Sequence, residues 1–252
     1  IKVHSKLILI RAKENGVNFY YSNISTGNFN EKTAQLYSDL SLLTGNQEIG
    51  LEVGKVFYLI ESAYQIIKFD HLIVSPLYTR SRFMELIENE IQNAKNGLPA
   101  WIDLKLNSFT DSTFVEKIKE AAQVGVKIRI SARASCSLVS HTNENLKTIG
   151  IVDKFLEHSR VFIFCNNQKP LYFIGSSDLM IRNLDTRIEV CVPIYCKEIQ
   201  KELQDVLDIQ FRDNSKARDW STMENNNLFN LQDDVKYRTQ EETYNYLKQI
   251  NL

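Results

Sequence analysis

The chain has 252 residues, 43% of them hydrophobic, enough to fill one large domain or two small ones. Thirty Lys+Arg against 31 Asp+Glu leave a formal net charge of −1, which excludes a global field that recruits nucleic acid or an anionic membrane, so any polyanion must be held by a local cluster. No apolar run approaches the roughly 20 residues that span a bilayer and no signal-peptide pattern opens the sequence, so a cytoplasmic protein is expected.

In chain order, Lys6 to Ile10 and Phe19 to Ile24 are predicted strands joined by the turn Glu14-Asn15-Gly16, with Asn-Gly the favoured hairpin signal. Leu36 to Leu43 reads as a third strand and Asn46 to Glu61 as an amphipathic helix, with Ile66 to Asp70 a connection. Leu72-Ile73-Val74 begins a second unit, and Pro76 ends that strand. Ser81 to Asn96 is a predicted helix, with Phe83, Leu86, Ile87, Ile91 and Ala94 on one face and Gly97 as its stop. Strand Trp101 to Leu106, helix Thr113 to Val124 and strand Lys127 to Ser131 follow, and the polar tail from Lys216 on holds a helix over Thr239 to Ile250. Strands alternating with helices imply mixed, largely parallel α/β sheets flanked by helices. Cys136, Cys165, Cys191 and Cys196 form no CxxC and sit in or near apolar runs, which favours free buried thiols over disulfides or zinc.

The chain also says the same thing twice. Val3-His4-Ser5-Lys6-Leu7-Ile8-Leu9-Ile10 returns as Glu157-His158-Ser159-Arg160-Val161-Phe162-Ile163-Phe164. At a constant offset of 150, Gly27 to Asn30 answers Ser177 to Met180, and Tyr37 to Leu42 answers Arg187 to Val192. Ile49, Val53 and Val56 then answer Ile199, Leu203 and Val206 at helical spacing. Asn28 follows its histidine by 24 positions and Asp178 by 20, a difference expected to lie in a hairpin loop. About 86 residues precede His158 in the second copy, counted from Leu72, whereas three precede His4; the chain is therefore expected to be the C-terminal piece of a longer protein, its first repeat truncated at the N-terminus.

In an extended strand residues i and i+2 share a face, so each histidine lies beside a cation: His4 with Lys6, His158 with Arg160. An imidazole nitrogen is a good nucleophile toward phosphorus and splits a transfer into two in-line steps. The adjacent cation stabilises charge on the equatorial oxygens, and a second histidine can protonate the leaving oxygen. Asn28 and Asp178 are candidates to orient the histidines, with a turn or cap role equally open. Arg133, just past a predicted strand end, is where ligands gather in open α/β sheets. Arg182 and Arg187 line the same pocket or pair with Asp185 and Glu189. His71 and His141 have no repeat partner and read as structural. The stretch Gly27 to Thr33 echoes a P-loop weakly, since it lacks the Gly before Lys. No His/Cys/carboxylate cluster suggests a protein-bound metal.

The duplicated His-x-Lys/Arg with its following Asn/Asp resembles the phospholipase D superfamily. Longer stretches resemble bacterial polyphosphate kinase of the first type: Val-His-Ser-Lys at 3–6, Ser25 to Ala34, Tyr37-Ser38-Asp39, Phe69 to Pro76, Asn93 to Pro99, Ile151 to His158 and Arg182 to Val190. The resemblance implies two phospholipase D-like repeats, the second half of one at 1–71 and the whole of the other, with its helical tail, at 72–252. It implies reversible transfer of the ATP terminal phosphoryl group to inorganic polyphosphate, with His4 the phosphorylated residue, His158 its catalytic partner, and Tyr37 and Arg133 contacting ATP. It implies Mg2+ with the nucleotide, two arginines tied to it upstream of His4, ATP/ADP and polyphosphate rather than nucleic acid as partners, a homo-oligomer, and a place in the cytoplasm or at the periphery of the bacterial inner membrane. The superfamily's hydrolases carry Asp where Arg11 and Cys165 stand and Lys where Arg160 stands, which disfavours a phosphodiesterase or nuclease. A non-catalytic polyanion-binding fragment is the third reading, and the fragment alone is expected to be inactive.

Overall fold

Val161–Phe164 is buried along its whole length, and its side chains alternate between two cores. Phe162 and Phe164 pack with Phe83, Leu86 and Phe114 on one side, while Val161 and Ile163 pack with Val53, Val74 and Leu203 on the other. A strand apolar on both faces demands cover on both, and that requirement sets the layering.

In the computed structural model, which describes residues 2–62, 67–138, 142–221, 227–229 and 235–250, the elements run in this order. Strands β1 (Lys2–Val3), β2 (Lys6–Glu14) and β3 (Val17–Ser25) come first, then helix α1 (Glu31–Ala34), strands β4 (Tyr37–Ser38) and β5 (Ser41–Thr44), and helix α2 (Gln47–Glu61). Next are β6 (Ile73–Ser75), α3 (Thr79–Lys95), β7 (Trp101–Phe109), α4 (Ser112–Gln123), β8 (Lys127–Cys136) and β9 (Leu146–Ile151). The chain continues through β10 (Leu156–Glu157), β11 (Val161–Phe164), β12 (Leu171–Gly175), a π-helical turn at Arg182–Thr186, β13 (Arg187–Pro193), α5 (Lys197–Gln210), β14 (Ala217–Asp219) and α6 (Thr239–Ile250).

The expected mixed α/β sheet is present, in the order β1-β13-β12-β11-β7-β8-β9-β14, with β6 also on β13. Its parallel ladders are β7–β8, β8–β9 and β1–β13; hairpin-linked neighbours such as β11–β12 run antiparallel. Helices α3 and α4 cover the face carrying Phe162 and Phe164, and α2 and α5 the other. Asn46 caps α2 by accepting from the Ile49 N–H, and Asp111 caps α4 by accepting from the Phe114 N–H. Residues on both sides of the boundary expected at 71/72 share one core: Ile24, Ile49 and Val53 pack with Leu72, Val74 and Ile188.

Several expectations need correcting. The strand expected over Leu36 to Leu43 is two strands, because Asp39 and Leu40 leave the ladder and turn toward Thr26. The four-position difference between the repeats is in the strands rather than the loop: β2 and β3 have nine residues each around the two-residue turn Asn15-Gly16, whereas β11 and β12 have four and five. Strand β8 runs on to Cys136, carrying Arg133 inside it at the bulge where the β7–β8 register shifts between the Ala132 and Ser135 pairings. Of the cysteines, Cys136, Cys165 and Cys191 are free and buried, but Cys196 is exposed. His71 bridges Tyr195, at 2.7 Å, and Glu48, at 3.2 Å. His141, and Ile66 at the start of the expected connection, lie outside the described residues.

Candidate active site

The two repeats exchange their edges. Strand β1, from the first repeat, adds in parallel to β13 of the second, pairing Lys2 with Arg187 and Val3 with Ile188. Strand β10, from the second, adds in parallel to β4 of the first, pairing Leu156 with Tyr37 and Glu157 with Ser38. Each chain then leaves its borrowed edge the same way. The His4 and Ser5 N–H groups both donate to the Ile188 carbonyl at 2.9 and 3.0 Å, and those of His158 and Ser159 to the Ser38 carbonyl at 3.1 and 3.0 Å. Each histidine thus sits on the first residue past a ladder, where backbone bonds fix its position.

The exchange carries the side chains across. His4 Nδ1 lies 2.9 Å from both carboxylate oxygens of Glu189, and His158 Nδ1 lies 2.9 Å from Asp39 Oδ1. Each imidazole is therefore held by the carboxylate of the other repeat. The supports behind the carboxylates also match. The Thr26 hydroxyl donates to Asp39 at 2.8 Å and accepts from the Leu40 N–H; the Ser176 hydroxyl donates to Glu189 at 2.5 Å and accepts from the Val190 N–H. Glu189, fully buried, takes a further bond from Asn183 Nδ2 at 2.6 Å.

With Nδ1–H donated to a carboxylate, each neutral imidazole keeps its lone pair on Nε2. Burial lowers the His158 imidazole below its ordinary value; Asp39 opposes this, and the Arg160 and Lys6 cations add to the lowering. Burial raises the Asp39 carboxyl, but the bonds from His158 and Thr26, with the nearby charges, outweigh it and leave it below the usual carboxylate range.

The cations line the floor. Lys6, 6% exposed, donates to the His4 carbonyl at 2.5 Å; burial pulls its ammonium down to about 8, against the opposing pull of Glu189. Arg160, 2% exposed, donates to the His158 carbonyl at 2.5 Å and to Asp178 at 3.0 and 3.3 Å, with a longer bond to the Thr26 carbonyl. All three guanidinium nitrogens are engaged, so Arg160 contributes a fixed positive charge. Asp178 also accepts from the Asn107 and Ser108 N–H groups. Its partner is the cation of its own repeat, which departs from the expectation that it orients a histidine.

Tyr37, half-buried, stands 5.0 Å from the His158 ring at a tilt of 53°. Arg133 donates to the Glu157 carbonyl at 3.0 Å and to Asn107 Oδ1, and burial beside Arg160 lowers its guanidinium. Arg187 occupies in its repeat the register position that Tyr37 occupies in the other, opposite the residue two before the histidine. The alternative pairing of Arg182 and Arg187 with Asp185 and Glu189 is not what forms: Arg80 holds Asp185, and His4 holds Glu189. Arg182 is exposed on the π-helical turn. Asn28 is exposed, and its side chain makes no hydrogen bond among the described residues, so it does not support His4. The repeat had matched Asp39 with Glu189, yet their crossing to the opposite histidines follows from the edge exchange, which a one-dimensional match does not contain. Nothing in the sequence signalled Asn107.

This arrangement has named relatives. Residues 72–240 match the family described as polyphosphate kinase C-terminal domain 2, and residues 1–66 match polyphosphate kinase C-terminal domain 1. The chain belongs to the polyphosphate kinase family. It is 43% identical to a polyphosphate kinase of Vibrio cholerae and 41% identical to one of Escherichia coli, each over 99% of this chain but 36% and 37% of the relative. The crystal structure of the polyphosphate kinase from Porphyromonas gingivalis superposes with a TM-score of 0.89 at 35% identity, covering 99% of this chain and 39% of that one. The chain thus spans little more than a third of the length of these polyphosphate kinases.

Proposed function

We propose that this chain carries the phosphoryl-transfer centre of a polyphosphate kinase, in which His4 takes the terminal phosphoryl group of ATP and passes it reversibly to polyphosphate. The observation that supports the reading best is the crossed pair of carboxylates, which hold Nδ1 of both histidines and leave both Nε2 atoms unengaged among the described residues. In the first step His4 Nε2 attacks the terminal phosphorus; the N–P bond forms, the bond to the bridging oxygen breaks, and ADP leaves with that electron pair. In the second a terminal polyphosphate oxygen attacks, the P–O bond forms and Nε2 regains its lone pair. His158 Nε2 exchanges the proton of the leaving oxygen, its imidazolium favoured once a phosphate anion is beside it. Lys6 and Arg160 supply positive charge at the transferring group, and Tyr37, Arg133, Arg182 and Arg187 form the nucleotide and polyphosphate side of the site.

Mg2+ enters this reading with ATP, as part of the substrate. Asp39, Glu189 and Asp178 are committed to His158, His4 and Arg160, and no metal-holding group of three or more His, Cys, Asp or Glu occurs among the described residues. No described helix is long and apolar enough to cross a membrane; the reading places the protein in the cytoplasm, as a homo-oligomer, with no nucleic-acid partner.

The test is incubation of the full-length protein with γ-labelled ATP and Mg2+. Acid-labile, base-stable label that disappears in His4→Ala is expected. Absence of label, or label undiminished in that variant, defeats the reading.

A further inference from the structure

A cavity of about 270 Å3 lies between α5, α6 and the β4–β10 ladder, lined by neither histidine and meeting the site described above at Ser38 and Asp39. Cavities of ~150 Å3 already admit a benzene ring. Its wall is apolar where Val161, Leu203, Val206, Leu207 and Tyr244 meet. At its polar end Glu157 is satisfied by Lys105 at 2.6 Å, Gln240 at 2.8 Å and Gln210 at 3.2 Å. Gln210, 3% exposed, spends its amide N–H on that carboxylate and leaves Oε1 without a partner; the Thr243 hydroxyl is likewise buried and unpartnered among the described residues. Both residues line the cavity. A buried polar atom left unpaired is destabilising, and both of these can accept a hydrogen bond. Of the charged lining residues Glu157 pairs with Lys105 and Asp39 with His158, and Glu202 adds a further carboxylate, so the charge disfavours an anion.

We propose that this cavity is a binding site for a small hydrophobic amine, its apolar body among the α5 and β11 side chains and its donor on Gln210 Oε1 and Thr243 Oγ1. The site is separate in chemistry from a polyphosphate site, and the binding does not rest on the phosphoryl-transfer reading. Because Asp39 is both a cavity wall and the partner of His158, an occupant bears on that imidazole.

The test uses the full-length protein with benzylamine, toluene and benzoate as probes, followed by saturation-transfer NMR and calorimetry. Benzylamine is expected to bind, toluene to bind at least about 10-fold more weakly for want of a donor, and benzoate not to bind. Val206→Trp, which fills the cavity, is expected to abolish benzylamine binding, and Gln210→Leu to weaken it at least about 5-fold; circular dichroism establishes that each variant is folded. The His158 ring titration is expected to shift on adding benzylamine to the wild type and to stay put in Val206→Trp. Equal binding of all three probes, no binding of benzylamine, benzylamine binding unaffected by both substitutions, or a His158 titration indifferent to bound benzylamine overturns the proposal.

Discussion

At the residue scale the site is a set of paired commitments. A neutral imidazole chooses its tautomer by what its other nitrogen donates to, so Glu189 and Asp39 decide which nitrogen of His4 and His158 is basic. Replacing Asp39 with Asn removes the charge that opposes burial, so the His158 titration is expected to move to lower pH, while Glu189→Gln leaves it in place; an NMR titration of the ring checks this. Movement in Glu189→Gln but not in Asp39→Asn would show the carboxylates uncrossed. Each variant is expected to lower turnover by about 10^2-fold or more, the scale of a general base left in the wrong tautomer. Lys6 sets a second pH dependence. Its ammonium, lowered to about 8 mainly by burial, is charged below that pH and neutral above it, so affinity for a phosphate chain is expected to fall as pH rises through 8. Lys6→Arg is expected to flatten that fall in a binding titration; a wild-type curve level to pH 9.5 contradicts the assignment.

At the element scale the geometry depends on close backbone approach. A Cβ placed on Gly27 would lie 1.9 Å from Asp39 Oδ2, so this glycine is what lets the β3–α1 connection pass the carboxylate. Gly27→Ala is expected to displace Asp39 and cut turnover at least about 10-fold, and the double variant with Asp39→Asn to be no worse than Asp39→Asn alone, because both act through one contact. Additive losses in that cycle would mean that Gly27 serves the fold instead. Elements with strong local signals were legible in the sequence: the Asn15-Gly16 hairpin, the α2 and α4 helices, and the short β6 before Pro76. What was not legible has a common cause. The break at Asp39-Leu40 and the extension of β8 to Cys136 are set by partners far along the chain, Thr26 and β7, and alternation of apolar residues carries no record of them.

At the scale of the whole molecule, the exchange of β1 and β10 between repeats makes the site indivisible. Neither histidine is oriented by its own repeat, so the duplicated His-x-Lys/Arg motif gave the residues of the site but not their wiring. Asn28 shows the limit of the repeat: it aligns with Asp178, yet it is exposed while Asp178 is buried on Arg160. On the proposed reading, Glu189 from the opposite repeat fixes the His4 tautomer and so selects the nitrogen that takes the phosphoryl group. The direct measurement is 31P–15N NMR of full-length protein, labelled with 15N-histidine and loaded from ATP. A phosphoryl group on Nε2 of His4 is expected; a phosphoryl group on Nδ1, or on a residue other than His4, would contradict the role given to Glu189.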